Sequence, residues 1–192
     1  SAGTSFGTND SQSIVLVNVD GDSDLDIIVA NTSGQGNQVY LNNGSGIFID
    51  SGQSLGSNDS QSIAVGDVDG DTDIDIVIAN AGTQANQVYL NDGSGSFSAG
   101  TSFGTNDSQS IVLVNVDGDS DLDIIVANAS SEGNRVYLNN GSGIFADSGQ
   151  SLASNDSLSL AVADVDGDGD DDIAISNAAQ GNRVYMSSLS DN

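Results

Sequence analysis

An all-β fold is predicted for this chain: a β-propeller-like array of four blade-like repeats, each of four short strands. Three observations predict it. The apolar residues gather in dense, β-branched runs such as SIVLV, DIIVAN and VYLN, and no segment shows a helical period. The stretch DVDGDTDID at Asp67–Asp75 recurs in close variants beginning at Asn18, Asn115 and Asp164. Its equivalent residues Asp20, Asp69, Asp117 and Asp166 follow one another at spacings of 49, 48 and 49, the length of a propeller blade made of short strands. Finally, Ser1–Asn31 is identical to Ser98–Asn128, an offset of 97, so the unit copied most recently is a pair of repeats.

Each repeat divides in the same way, within one repeat domain spanning 1–192. The repeats run about 8–56, 57–104, 105–153 and 154–192, after an N-terminal strand at 1–7. In the second repeat, Ser62–Val68 is expected as the first strand and Asp75–Asn80 as the second, joined by the acidic loop. Gln87–Asn91 is the third. Ser96–Phe103 is the fourth, reached through NDGSG, whose Asn, Asp and Gly accept the positive φ of a tight hairpin. The last repeat stops at VYMSSLSDN without a fourth strand, while Ser1–Gly7 matches the fourth-strand segment Ser98–Gly104. The expectation is that the N-terminal strand completes the last blade, either in cis or in a neighbouring chain. Exchange between chains would give a closed dimer or a fibre.

Composition removes whole classes of function. The chain carries 28 acidic and 2 basic side chains, a formal charge of −26, which argues against nucleic acid and anionic membranes. No apolar run approaches the ~18 residues of a membrane span, and no leader segment is visible. With no His and no Cys there can be no zinc site, thiol nucleophile, disulfide or Ser-His-Asp triad.

The acidic loops carry the chemistry. Numbered 1 to 9, position 1 is Asn18, Asp67, Asn115 or Asp164, and position 3 is Asp20, Asp69, Asp117 or Asp166. Position 5 is Asp22, Asp71, Asp119 or Asp168, and position 9 is Asp26, Asp75, Asp123 or Asp172. Position 4 is always Gly. A hard cation such as Ca²⁺ takes about 6–8 oxygen ligands, and a short loop supplies them when alternate side chains point inward and a carbonyl fills a gap. An EF-hand is excluded, because its last carboxylate stands at position 12 and helices flank it. Turn-forming alone would need one or two Asp per loop, and uncompensated carboxylates at this density repel one another.

DVDGDTDIDIVIAN, with FG at Phe6–Gly7 and Phe103–Gly104 and VYLN-x-GSG-x-F after the first three loops, resembles the FG-GAP or VCBS-type repeat of integrin-α-like β-propellers. The resemblance covers nearly the whole chain. It implies one Ca²⁺ per repeat, about four in all, held by side chains at positions 1, 3, 5 and 9. It also implies that position 7 (Asp24, Asp73, Asp121 and Asp170) contributes its backbone carbonyl, leaving its side chain in solvent. Four repeats stand here where the family's propellers commonly have seven blades, and the literal GAP element is missing. The Asn18 and Asn115 loops, one carboxylate poorer, are expected to bind more weakly.

Other features are weighed against plainer roles. N-x-Ser/Thr matches at Asn9, Asn58, Asn106 and Asn155, and at Asn31, Asn43, Asn128 and Asn140, read as turn chemistry more readily than as glycan acceptors. Tyr40, Tyr89, Tyr137 and Tyr185 are expected to pack between blades, with sugar stacking as the alternative. Arg135 and Arg183 are expected to neutralise nearby carboxylates. Glu132 reads as a solvated loop residue without a repeat counterpart, and no catalytic pair stands apart from the repeats. The function expected is therefore non-enzymatic: an extracellular or cell-surface, calcium-stabilised structural or adhesive protein, self-associating through its N-terminal strand. A carbohydrate-binding propeller lectin is the alternative, with glycans as partners.

Overall fold

The computed structural model describes residues 5–153 and 155–187. Among them there is no helix, and fifteen strands form four antiparallel meanders. The first sheet holds β1 (Ser11–Val17), β2 (Asp26–Asn31), β3 (Asn37–Asn42) and β4 (Phe48–Leu55). The second holds β5 (Ser60–Gly66), β6 (Asp75–Asn80), β7 (Asn86–Asn91) and β8 (Phe97–Phe103). The third holds β9 (Ser108–Val114), β10 (Asp123–Asn128), β11 (Asn134–Asn139) and β12 (Phe145–Leu152). The fourth has three strands, β13 (Ser157–Ala163), β14 (Asp172–Asn177) and β15 (Arg183–Tyr185). Strand order within each sheet is sequential, as expected of blades.

Among the described residues the last blade has no fourth strand. The fourth sheet ends at β15, and the sheets do not close into a ring. Ser1–Thr4 of the expected N-terminal strand lie outside the described residues. Phe6 lies against the first blade, its ring centroid 5.1 Å from that of Tyr40 and 5.8 Å from that of Phe48. Phe103, at the end of β8, touches Tyr137 and Phe145 of the third blade in the same way, at 4.9 and 6.0 Å. Phe6 thus occupies, on the first blade, the place that a preceding blade's last residue occupies on the third.

The sheets stack face to face, and the core lies between them. The second strand of each of the first three blades is the run DIIVAN or DIVIAN, and all six of its residues are buried. The absence of alternation has a plain cause: both sides are covered, by neighbouring sheets in the second and third blades and, on the outer side of the first, by Phe6 packed with Ile27, Val29 and Tyr40, so both sets of side chains are apolar. Burying each of Ile28, Ile76 and Ile124 contributes roughly 1.5–3 kcal/mol.

Each blade has an upstream face, toward the preceding blade, and a downstream face. Between the first two blades, Val15, Val17 and Val19 meet Ile63, Val65, Ile76 and Tyr89. Between the second and third, smaller residues meet larger ones: Ala64 and Val68 face Ile111, Leu113 and Leu122. A Cβ built on Gly66 would lie 2.7 Å from Leu122 Cδ1 and 3.2 Å from Leu113 Cδ1, so the two leucines fill the space a side chain would need. Between the third and fourth, Val112, Val114 and Val116 again meet Leu160, Val162 and Tyr185. The faces therefore alternate in bulk with a two-blade period.

A buried polar ladder accompanies the apolar contacts. Asn37 Nδ2 donates across the sheet boundary to Ser60 Oγ at 3.0 Å, and Ser60 donates to Asn80 Oδ1 at 2.8 Å. Asn86, Ser108 and Asn128 repeat this at 3.1 and 3.0 Å, and Asn134, Ser157 and Asn177 at 3.0 and 2.8 Å. Three of the N-x-Ser/Thr matches thus have their Ser hydroxyl committed to the interior. Asn31 and Asn128 are themselves buried, which leaves no room for a glycan there.

Candidate metal centre

The acidic loop joins the first two strands of every blade, where the repeat spacing puts it. Its conformation follows from Asp and Asn side chains accepting loop amides. In the second blade Asp67 Oδ1 accepts from Gly70 N at 2.8 Å and Oδ2 from Thr72 N at 2.9 Å, while Asp71 Oδ1 accepts from Asp73 N at 2.9 Å. Gly70 takes φ +83°, which coils the chain back over Asp67. Thr72 at position 6 takes φ +78°, a strained conformation for a β-branched residue, and Ser23 and Ser120 share it. Where position 1 is Asn it caps only one amide: Asn18 Oδ1 accepts from Gly21 N at 2.9 Å, and Asn115 Oδ1 from Gly118 N at 2.8 Å.

Position 9 has a role that its reading as a ligand did not include. Asp75 is buried, with Oδ2 accepting from Val68 N at 2.9 Å and Oδ1 from Asn91 N at 2.9 Å. Asp26 latches Val19 N at 2.9 Å and Asn42 N at 2.8 Å, and Asp123 latches Val116 N at 2.9 Å and Asn139 N at 2.8 Å. Asp172 does the same for Val165 N at 2.9 Å and Ser187 N at 2.8 Å. This carboxylate ties the loop to the end of the third strand. Each oxygen keeps a further lone pair with which it could also meet an ion.

Carboxylates converge in two loops. In the second, oxygens of Asp67, Asp69 and Asp71 lie within 4.8 Å of one another; in the fourth, those of Asp164, Asp166 and Asp172 do. Asp69 Oδ1 is buried and has no hydrogen-bond partner. Burial pushes the Asp69 carboxyl up, and Asp71 beside it pushes in the same direction. The Asp75 carboxyl is pushed up to about 6 by burial, against the pull of its two amide bonds. Burial raises Asp20 and Asp123 as well. These are oxygens short of positive charge, in a chain with no His or Cys to offer, and the donor set fits a hard cation such as Ca²⁺.

Position 7 is less exposed than expected. A Cβ built on the hairpin residues Gly44, Gly93 or Gly141 would lie 2.7, 2.6 or 2.6 Å from Oδ2 of Asp24, Asp73 or Asp121. The Asp24, Asp73 and Asp121 side chains are half-buried against their own blade's hairpin.

Neighbouring blades also shape the loops. Asn91 Nδ2 donates to Val19 O, in the first loop, at 2.8 Å, and Asn139 Nδ2 donates to Val68 O, in the second, at 2.8 Å. Gly143 N, in the third blade's hairpin, also donates to Val68 O at 2.8 Å. The constant Asn ending VYLN was the available signal, though nothing local announces a partner some 70 residues away. Glu132 has a counterpart after all. Its Oε2 accepts from Asp107 N at 2.7 Å, as Gln35 and Gln84 Oε1 accept from Asp10 N and Asp59 N at 2.7 and 2.6 Å. Tyr89 and Tyr137 are buried between blades, as expected. Arg135 approaches Asp147 at 3.8 Å, a half-exposed pair of little energetic weight.

Fold and loops together define a protein of tandem β-blades, each with an acidic loop at its first joint, and in the second and fourth of these the carboxylates are grouped so that they could hold a metal ion. The FG-GAP-like repeat pattern matches residues 18–78, 67–126 and 115–175, and the chain belongs to that family. Among solved structures it is similar to a lectin from Agrocybe aegerita described as specifically recognising non-reducing terminal N-acetylglucosamine. The likeness has a TM-score of 0.53 at 23% identity and covers 83% of this chain and 45% of the lectin's. The chain thus spans less than half the lectin's length, and at this identity the likeness speaks for the propeller-like fold alone. Among curated proteins, no sequence matches the chain significantly.

Proposed function

We propose that the protein is a non-enzymatic, calcium-stabilised structural or adhesive repeat protein that works outside the cell or at its surface. The observation that carries this reading is the convergence of Asp67, Asp69 and Asp71 around a buried, unpartnered Asp69 oxygen. Ca²⁺ there would be held by the side chains of positions 1, 3, 5 and 9 and the position-7 carbonyl. Bound, it would neutralise carboxylates that otherwise repel and make each first joint rigid. Millimolar extracellular calcium suits modules of modest affinity. The Asp residues serve latches and loops that recur from blade to blade, which supports a structural reading over a catalytic one. Self-assembly, with Ser1–Gly7 supplying a fourth strand to a neighbour's last blade, belongs to the same proposal.

Calorimetric titration with Ca²⁺, alongside thermal melting in EDTA, tests it. Four sites are expected in two classes, with Asp67 and Asp164 tighter than Asn18 and Asn115, and a large fall in melting temperature on chelation. A melting temperature indifferent to EDTA would refute the calcium role. The lectin alternative has only the fold likeness behind it, and Tyr89 and Tyr137, the rings a between-blade sugar would stack on, are buried.

A further inference from the structure

The two ends of the stack present faces that the interior shows how to pair. On the first blade, Ile14, Leu16 and Leu25 are 58%, 58% and 53% exposed. Their repeat equivalents on the third blade are Ile111, Leu113 and Leu122, the same residue types at the same places. There they are covered by the downstream face of the second blade, and Ile111 is 3% exposed. On the fourth blade, Val165, Val184 and Met186 are 60%, 56% and 52% exposed, while the second blade's equivalents Val68 and Val88 are buried and Leu90 is half-buried. The small residues match too, since Ala161 and Ala163 stand where the second blade has Ala64 and Gly66.

We infer that the downstream face of the fourth blade binds the upstream face of the first blade of a second copy, reproducing the interface between the second and third blades. Bulk alternation selects this pairing: a small downstream face is followed by a leucine-bearing upstream face, as inside the chain. The contact is heterologous, so its geometry decides whether two copies close on each other or a filament grows. Phe6 and Gly7 are already seated for it. A Cβ on Gly7 would lie 2.9 Å from the Tyr40 hydroxyl, as one on Gly104 would lie 2.6 Å from that of Tyr137. The downstream faces differ at four places: Ala174, Ser176 and Met186 stand for Val77, Ala79 and Leu90, and Ala163 stands for Gly66. By the geometry at Gly66, the Ala163 methyl would meet the flexible ends of Leu25 and Leu16, which must turn aside, so Ala163→Gly should tighten the contact. The inference deepens the self-assembling part of the proposed function and does not depend on where calcium binds.

Disulfide trapping tests it in a chain that has no cysteine of its own. Inside the molecule Ile111 N donates to Ser62 Oγ across the blade boundary at 3.3 Å. The equivalent intermolecular pair is Ile14 with Ser159. Mild oxidation of the double variant Ile14→Cys/Ser159→Cys, in calcium, should give covalent dimers or a ladder on a non-reducing gel. The internal pair Ser62→Cys/Ile111→Cys should give a cross-linked monomer and validates the geometry. A cross-linked monomer from the Ile14/Ser159 pair, meaning closure in cis, overturns the inference. So does no cross-link while the internal pair reacts. In a second experiment, Leu16→Asp and Val184→Asp should each lose self-association in sedimentation while keeping the wild-type circular dichroism. Mixed, they should form a one-to-one complex, each retaining the face the other lacks. If either variant alone associates like wild type, or the mixture stays monomeric, the head-to-tail contact is wrong. An unchanged EDTA effect on melting in all these variants keeps the calcium role separate.

Discussion

The second and fourth acidic loops hold the same carboxylates at positions 1, 3, 5 and 9, yet they are shaped differently. In the second, positions 1, 3 and 5 draw together, and the third blade's hairpin lies over the loop, with a Cβ on Gly143 reaching within 3.5 Å of Asp69 Cβ. In the fourth, positions 1, 3 and 9 draw together and Asp166 is exposed, with no following blade among the described residues. The difference teaches that a loop of this kind is made by its own nine residues and finished by its neighbour. The covering hairpin removes water from position 3, leaves one carboxylate oxygen without a donor, and so raises the local demand for a cation.

Three experiments bear on that contrast. The strongest effect is expected from Asp75→Ala, which strands two buried backbone amides and should cost about 3 kcal/mol in denaturant unfolding. Asp172→Ala, at the uncovered end, should cost about half as much. Equal losses would mean that the covering blade contributes nothing. The second is pH. Because the Asp75 carboxyl sits at about 6 in the fold and near 3.8 unfolded, the folded chain holds its proton the more tightly. Metal-free protein should therefore gain stability as pH falls from about 6 to about 4, with no further gain from this group below that. Calcium-loaded protein should lose stability over the same window, as protons compete with the ion. Melting curves in EDTA and in calcium should diverge in sign, and parallel curves would contradict this. The smallest effect is Thr72→Gly. The fourth loop already has Gly169 at the matching position, at φ +96°. Relief of the left-handed threonine, partly offset by glycine's freer unfolded chain, should stabilise metal-free protein by up to about 1 kcal/mol. A destabilised variant would mean that Thr72 is unstrained.

Much of this was legible in the sequence, for physical reasons. The acidic loops mark strand joints because Asp and Gly accept turn geometry, and DIIVAN marks a central strand because apolar residues on both faces require cover on both sides. What escaped was long-range. The Asp75 latch looks like any other ligand carboxylate until Asn91 N is seen beside it. The Asn37–Ser60–Asn80 ladder hides inside common turn residues, and Gln35, Gln84 and Glu132 share a hydrogen bond but not a residue type. The lack of a fourth-strand pattern after VYMSS is plain in the sequence, and the repeat match of Phe6 to Phe103 foretells the contact of Phe6 with Tyr40 and Phe48.

The alternation of bulky and slender faces has a consequence for how such a chain can change its length. Removing or inserting a single unit would drive Val15 and Val17 against a surface built for Ala64 and Gly66, an overpacking of roughly 1–3 kcal/mol. Units exchanged two at a time leave every junction as it was. The 97-residue duplication is then the shortest insertion this architecture tolerates without repacking, and lineages carrying it should differ by even numbers of units.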